Sequence, residues 1–335
     1  MQRQVLGLDI GGANIKAASA DGTFTAARYF PLWNQSHQLV EVLRDIINDV
    51  SANFLAVTMT GEIADCFESK QQGVQFIANA VVKAATSPDN IYVYRIDGDW
   101  LTPAQSSEQW NSVAASNWHA IANLAAASDP NQSNILLDIG STTVDIIPLN
   151  CGIPVPNNLS DVDRLQSRQL LYCGIQRTPL CALLDIAELD NRRIPLAREM
   201  FATTQDAFLI TGDATEDITC CETADGKPAT RQYAHARLAR SVCECPTQFS
   251  NEDALSLSQQ IKTRLVSLLD DALRLVIRDM QHPPQQIILT GHGDFLTDCI
   301  SQQLPILKLF TGERSRVAPA YAVAVLLAKH LEARK

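Results

Sequence analysis

The sequence has little positive charge and no dense run of it. Its 335 residues include 27 lysines and arginines against 37 aspartates and glutamates, which gives a formal net charge of −10. No stretch carries successive Lys or Arg residues that could neutralise neighbouring phosphates of DNA or RNA. The composition therefore argues against nucleic acid as a partner.

Long hydrophobic runs are also missing. The longest apolar run near the C-terminus, residues 320–328, is far shorter than the roughly 18 residues that a membrane-spanning helix needs. The first twelve residues lead directly into an alternating apolar pattern, without the apolar core and cleavage site of a signal peptide. We therefore expect a cytoplasmic protein without a membrane partner.

The nine cysteines show no CxxC pair, and their number is odd. Free thiols are the expectation for such a chain in a reducing compartment. One local group supplies enough soft ligands for a tetrahedral zinc ion, although its spacing is poor for a metal site. Zinc binding stays open for this group, which consists of Cys220, Cys221, His235, Cys243 and Cys245.

Hydrophobic residues make up 46% of the chain and charged residues 19%, so the composition is that of a globular protein. The length suits two packed domains. A polar segment that contains a proline, residues 128–134, marks the expected junction. We therefore predict a first domain over residues 1–129 and a second over residues 130–317. The sequence leaves the oligomeric state open.

Periodicity predicts the elements that surround the turns described below. Apolar residues at three- and four-residue spacing indicate helices, and short apolar runs between turn signals indicate strands. One predicted helix begins at residue 36, and others cover residues 73–85, 112–127, 254–280 and 319–332. The predicted strands cover residues 54–59 and 91–96.

An internal repeat is the strongest pattern in the chain. A predicted strand over residues 5–10 runs into Gly11-Gly12, and a second strand follows over residues 15–20. The same pattern returns over residues 135–149, where Leu-Asp-Ile-Gly again precedes a turn of small polar residues. The repeat indicates a duplication at the scale of a domain.

Turns of this kind can bind anions, because small residues let a phosphate approach the backbone N–H groups closely. Side-chain donors and the charge of Lys16 add to the site. The strand-end carboxylates of Asp9 and Asp138 suit Mg²⁺, which binds through one or two carboxylates plus phosphate oxygens. The predicted diphosphate or nucleotide ligands of these two turns are Gly11, Gly12, Asn14, Lys16, Gly140, Ser141, Thr142 and Thr143.

A third glycine turn, Gly291-His292-Gly293, follows another apolar strand, and we include Gly291 and Gly293 in the predicted anion site. Together the three turns resemble the acetate kinase, sugar kinase and actin superfamily. This resemblance implies a duplicated α/β fold of two RNase H-like domains with a cleft between them. It also implies that the last helix, residues 318–335, packs back onto the first domain.

A closer resemblance is to the hydantoinase/oxoprolinase-like family that includes probable tetrahydromethanopterin-linked C1-transfer pathway proteins. Its archaeal members include a condensing enzyme of methanofuran biosynthesis. The matching stretches are GLDIGGANIKAA (7–18), TMTGEIADCF (58–67), ASNWHA (115–120), LLDIGSTTVDIIP (136–148), GIQRTP (174–179), REMFATTQD (198–206) and ADGKPATRQYAHARLAR (224–240).

This resemblance implies a transferase that joins an aminomethylfuran-methyl diphosphate to the phenol oxygen of γ-glutamyltyramine and releases diphosphate. Mg²⁺, Lys16 and the two turns would hold the leaving group. A phenol with an ordinary pKa near 10 must lose its proton, so a general base would assist catalysis. Glu62 and Asp65 are the candidates for that base, and Lys16 is the third predicted catalytic residue. Asp65 could equally be a solvated carboxylate or a helix cap.

Other polar residues carry weaker signals. Arg177 could bind a carboxylate or phosphate in bidentate geometry, although an isolated arginine near a proline is more often a structural residue. His119 fits a packed position in a helix, whereas His292 in the third turn could touch a ligand. Neither histidine has a visible acid or nucleophile partner, so no catalytic triad is assigned.

Three alternatives remain open at this point. An ATP-dependent small-molecule kinase would use the same turns for ATP and Mg²⁺, and fold alone does not separate the two functions. A nucleotide-binding regulatory protein is the second alternative. ATP-assisted ring opening is the third, since the hydantoinase/oxoprolinase description suggests it.

Overall fold

The structure, a computed structural model, describes residues 4–301 and 303–334. Residues 1–3 of the predicted first domain and Lys335 of the predicted closing helix lie outside the described residues, as does Gln302. None of the described helices is long and apolar enough to cross a bilayer.

Strands and helices alternate along the described chain. The strands are β1 (Val5–Ile10), β2 (Asn14–Ser19), β3 (Thr25–Tyr29), β4 (Phe54–Met59), β5 (Ile91–Tyr94), β6 (Trp100–Leu101), β7 (Ser133–Ile139), β8 (Val144–Asn150), β9 (Ile153–Pro154), β10 (Leu170–Leu171), β11 (Ile186–Leu189), β12 (Arg192–Pro195), β13 (Ile287–Gly291) and β14 (Ile306–Lys308). The α-helices are α1 (Leu32–Gln35), α2 (Leu39–Val50), α3 (Lys70–Ala84), α4 (Pro103–Glu108), α5 (Asn117–Ser128), α6 (Asp161–Gln166), α7 (Leu180–Leu183), α8 (Thr204–Thr211), α9 (Arg231–Ser241), α10 (Asn251–Asp279), α11 (Glu313–Arg316) and α12 (Ala318–Ala333).

Two sheets share one strand order. The first sheet runs β3-β2-β1-β4-β5-β6, with β1 antiparallel to β2 and parallel to β4. The second runs β10-β8-β7-β13-β14, with β7 antiparallel to β8 and parallel to β13. Five strands of the first sheet are therefore repeated in the second, which confirms the duplicated α/β fold expected from the sequence.

Helices α5 and α12 lie between the two sheets. Their apolar residues form one buried cluster with Val5 of β1, Leu136 of β7 and Ile288 of β13. The outer face of the first sheet packs against α2 and α3, and the outer face of the second packs mainly against α10. Because the middle cluster draws on both sheets, the domain boundary at residues 129 and 130 stays a prediction.

The approach of α12 to β1 is very close. A Cβ atom built on Gly7 would lie 1.9 Å from the carbonyl oxygen of Ala320, a distance that real side chains do not tolerate. The absence of a side chain at residue 7 therefore lets the last helix pack onto the first strand.

The predicted helix over residues 112–127 is wrong at its start. A 3-10 turn covers Trp110–Ser112, Ala115 has a φ of 49°, and α5 begins only at Asn117. The Ser116 hydroxyl donates to the carbonyl oxygen of Tyr94 at 3.1 Å and also lies 3.0 Å from the hydroxyl of Thr58. These tertiary hydrogen bonds override the helical propensity of the alanine-rich segment.

Gly7→Ala should lower the free energy of unfolding by about 1 to 3 kcal/mol, because the added methyl group forces α12 away from β1. Urea unfolding followed by circular dichroism measures the loss. Gly12→Ala is the matched control, since a Cβ atom there would meet nothing within 4 Å. Equal stability of the two variants would show that α12 tolerates the methyl group.

Candidate active site

Strand alternation places two aspartates on the inner faces of the sheets. In β1, Leu6, Leu8 and Ile10 pack toward α2 and α3, so Asp9 lies on the opposite face, which packs toward α12. The same alternation puts Asp138 of β7 on the face turned toward α5 and α12. Both carboxylates therefore stand near strand ends and point into the space between the sheets.

Asp9 faces Lys16 across the strand pair. The two residues are register partners of β1 and β2, and the Lys16 Nζ lies 3.9 Å from the Asp9 Oδ2. Asp9 is buried, and its Oδ1 has no hydrogen-bond partner among the described residues. Burial raises the pKa of Asp9, and the charge of Lys16 opposes that rise.

Asp138 responds to the same lysine. The Thr290 hydroxyl donates a hydrogen bond to its Oδ1 at 2.6 Å. Burial raises the pKa of Asp138, the hydrogen bond from Thr290 and the charge of Lys16 lower it, and the charge of Asp9 raises it further. Asp9, Lys16 and Asp138 thus form one electrostatic group, in which the single positive charge of Lys16 acts on two carboxylates.

This group fits a divalent cation. The unpartnered Oδ1 of buried Asp9 is free to accept a bond, and two carboxylates are the protein share that Mg²⁺ usually takes, with water and phosphate oxygens completing its shell. The described residues contain no group of three or more His, Cys, Asp or Glu side chains placed to hold a metal. That finding applies also to the cysteines considered above for zinc, which are all free thiols.

Each of the first two glycine turns is closed by a backbone hydrogen bond of the same kind. The Gly11 N–H donates to the Asn14 carbonyl at 2.9 Å, and the Gly140 N–H donates to the Thr143 carbonyl at 3.0 Å. The N–H groups of Gly11 and Gly140 therefore form hydrogen bonds within the turns, whereas the sequence suggested that they would bind an anion. The tips of the turns, Gly12 with Ala13 and Ser141 with Thr142, are the parts left for a ligand.

The third turn is a support for the second. The N–H groups of His292 and Gly293 both donate to the Ile139 carbonyl, at 3.0 and 3.2 Å. Cβ atoms built on Gly291 and Gly293 would each lie 2.2 Å from an atom of Ile139. These glycines are buried against the end of β7, so close packing explains them without an anion.

The third turn also carries His292, whose pKa is affected by the charge of Lys16. Burial lowers the pKa of His292 to about 4, and the positive charges of Lys16 and Arg316 lower it as well. The imidazole is therefore neutral near pH 7 and can accept or donate a hydrogen bond without adding charge to the group.

Glu62 is held next to the first turn by two glycines. A Cβ atom on Gly61 would lie 3.0 Å from the backbone of Gly11, and one on Gly73 would lie 2.3 Å from the Glu62 carbonyl oxygen. Glu62 is 1% exposed, and its Oε2 has no hydrogen-bond partner among the described residues. Burial raises its pKa to about 7, while Lys70 and the backbone N–H of Ala115 act against the rise. Asp65, the other predicted base, is exposed.

The sequence interpretation missed three residues beside this group. Asp145 is the register partner of Asp138 and forms a buried ion pair with Arg164. The Arg164 guanidinium lies 3.9 Å from the ring centroid of Trp118, so a residue from each half of the chain contributes to one contact. The repeat held a signal for Asp145, because it occupies the position that Lys16 occupies in the first copy.

Comparison with known proteins gives one family and close relatives. A family model described as hydantoinase/oxoprolinase matches residues 54–333. A protein of Methanocaldococcus jannaschii named (4-{4-[2-(gamma-L-glutamylamino)ethyl]phenoxymethyl}furan-2-yl)methanamine synthase is 32% identical over 337 residues, which cover 99% of this chain and 100% of that protein. A protein of Methanococcus vannielii with the same name is 30% identical over 209 residues, covering 60% of this chain and 93% of that protein.

Among solved structures, nucleotide-free acetone carboxylase aligns with 93% of this chain and 51% of its own chain. The TM-score is 0.50 and the sequence identity is 13%, so this likeness concerns the fold alone.

Arg164→Gln should destabilise the protein by about 3 to 5 kcal/mol at pH 8, because it leaves the buried carboxylate of Asp145 without its partner. Burial raises the pKa of Asp145 to about 6 even beside Arg164. The loss should shrink toward pH 5, where the carboxyl group takes up a proton and its burial costs less. Urea unfolding at both pH values measures it.

The control is Arg198→Gln, which removes an exposed ion pair with Asp185 and should cost at most about 1 kcal/mol at either pH. An equally small, pH-independent loss in Arg164→Gln would contradict the importance of the buried pair.

Proposed function

The chain belongs to the hydantoinase/oxoprolinase family, and from that membership we propose that it is a transferase of methanofuran-type cofactor biosynthesis. In this proposal it joins an aminomethylfuran-methyl diphosphate to the phenol oxygen of γ-glutamyltyramine and releases diphosphate. The observation that carries the proposal is the full-length similarity to a synthase whose named product contains this aryl ether. We expect the reaction to take place in the cytoplasm.

The cleft suits a diphosphate leaving group. Asp9 and Asp138 would hold Mg²⁺, which supplies positive charge to the diphosphate oxygens when it is bound. The Lys16 ammonium group lies 3.9 Å from the Asp9 carboxylate and its charge acts on Asp138, so it can meet the negative charge that develops as the carbon–oxygen bond breaks. Gly12 at the tip of the first turn faces open space, so backbone can approach a phosphate there.

The bond changes balance without a nucleotide. The bond between the furan methylene carbon and the bridging oxygen of the diphosphate breaks, and its electron pair leaves with the diphosphate. The phenol oxygen forms the new ether bond to the methylene carbon. The phenol proton passes to Glu62, whose raised pKa makes it a better proton acceptor than an ordinary carboxylate.

Mixing the aminomethylfuran-methyl diphosphate with γ-glutamyltyramine and Mg²⁺ should give diphosphate and the aryl ether in the absence of ATP. With heavy oxygen at the bridging position, mass spectrometry should find the label in the released diphosphate, because the carbon–oxygen bond is the one that breaks. Lys16→Ala should slow the release by about 10²- to 10³-fold, by analogy with the loss of one oxyanion donor. Label on a furan alcohol, or a strict need for ATP, would instead favour the kinase alternative.

The rate should rise with pH through an apparent pKa near 7, because the base must be ionised to accept the phenol proton. Glu62→Gln should remove this rise and lower kcat by about 10²- to 10⁴-fold. Asp65→Asn is the matched control from the same segment and should keep both the rise and the rate. If Asp65→Asn loses the pH dependence and Glu62→Gln keeps it, the base is Asp65.

A further inference from the structure

Two residues next to the turns meet across the mouth of the cleft. The Leu32 N–H donates to the Gly12 carbonyl at 2.8 Å, which places the next residue, Trp33, beside the tip of the first turn. The Arg177 N–H donates to the Ser141 carbonyl at 3.1 Å, which places Arg177 beside the tip of the second turn. The Arg177 guanidinium carbon lies 5.4 Å from the Trp33 ring centroid. A cation and an aromatic ring thus come together from the two halves of the chain.

Tyr29 completes this group, which we call the mouth cluster (Tyr29, Trp33 and Arg177), because it is the register partner of Asn14, the residue that closes the first turn. Burial raises the pKa of Tyr29, and the positive charge of Arg177 opposes that rise, which agrees with a position near the guanidinium group. Tyr29 and Trp33 remain 46% and 41% exposed, so their rings are open to a ligand. No carboxylate of the described residues forms an ion pair within 4.0 Å of the Arg177 guanidinium.

The chemistry of the mouth cluster matches one end of the proposed acceptor. A γ-glutamyl group carries an α-carboxylate and an α-ammonium, and a phenyl ring follows it. A guanidinium binds a carboxylate with two parallel hydrogen bonds, and exposed aromatic side chains stack on a ring. The other substrate has no carboxylate, and in the proposed reaction its diphosphate is met by Lys16 and by the Mg²⁺ that Asp9 and Asp138 would hold.

We infer that the mouth cluster is the acceptor subsite, where Arg177 binds the α-carboxylate of the γ-glutamyl group, and Trp33 and Tyr29 flank the phenyl ring. This assignment rests on the proposed function, since it names the position of that reaction's second substrate. It orients the phenol oxygen inward, because the charged end of the acceptor stays at the mouth and the turns lie immediately behind it.

The test compares two acceptors, γ-glutamyltyramine and tyramine, which lacks the glutamyl group. Arg177→Gln should raise the KM for γ-glutamyltyramine by about 10- to 100-fold, because a charge-assisted pair of hydrogen bonds is lost. The KM for tyramine and the KM for the diphosphate substrate should each change by less than about 3-fold. Trp33→Ala should raise the KM for both acceptors, since the ring contact is common to them. Arg193→Gln, at an arginine whose side chain is 73% exposed, is the control and should behave as the parent protein.

An unchanged KM for γ-glutamyltyramine in Arg177→Gln, or an equal rise for both acceptors, would overturn the assignment. Titration of the parent protein with γ-glutamyltyramine, in the presence of Mg²⁺ and inorganic diphosphate and followed by tryptophan fluorescence, separates this assignment from the proposed reaction. If the parent protein makes no ether but binds γ-glutamyltyramine and Arg177→Gln does not, the reaction is wrong and the subsite stands. If the parent protein binds no γ-glutamyltyramine, the subsite is wrong.

Discussion

The candidate site depends on one electrostatic interaction, in which the Lys16 ammonium group opposes the negative charges of two strand-end carboxylates, buried Asp9 and partly buried Asp138. Asp9 and Asp138 stand near strand ends on the inner faces of two sheets, where burial penalises both negative charges. Antiparallel pairing of β1 with β2 brings Lys16 opposite Asp9. The positive charge of the same lysine also acts to lower the pKa values of Asp138 and His292. One ammonium group cannot neutralise two carboxylates, so the cleft keeps a demand for further positive charge. The Mg²⁺ of the proposed reaction, bound with its diphosphate, would meet that demand.

The two copies of the repeat have diverged at the position that decides local charge. The residue opposite the strand-end aspartate is Lys16 in the first copy and Asp145 in the second. The second copy therefore carries two acids side by side, and Arg164 supplies the charge that its own β8 does not. Arg164 also stacks on Trp118, which is in the helix that packs between the sheets. The extra acid of the second copy is thus compensated by an arginine of its own half, and that arginine packs on a tryptophan of the other half.

Local patterns predicted the backbone well, because strand ends, glycine turns and apolar periodicity depend on neighbours in the sequence. Strands β1 and β4 begin and end at the predicted residues, and the Leu-Asp-Ile-Gly repeat correctly indicated the duplication. The uses of individual amides could not be predicted. Whether Gly293 faces a ligand or the Ile139 carbonyl depends on a strand more than 150 residues away. Contacts such as Arg177 on Trp33 arise only when the two halves pack, and no periodicity within either segment encodes them.

The packing of the last helix onto the first strand has a consequence for synthesis on the ribosome. Residues 5–10 are translated long before α12, which spans Ala318–Ala333 and covers the inner face of β1. Until then α2 and α3 cover one face of the first sheet, while the other face lacks the helix that packs on β1, β2 and β4. The chain must therefore carry this half-covered sheet through the translation of the more than two hundred residues that separate β6 from α12. Native closure is a late, long-range event, of the kind that slows folding and favours assistance by chaperones.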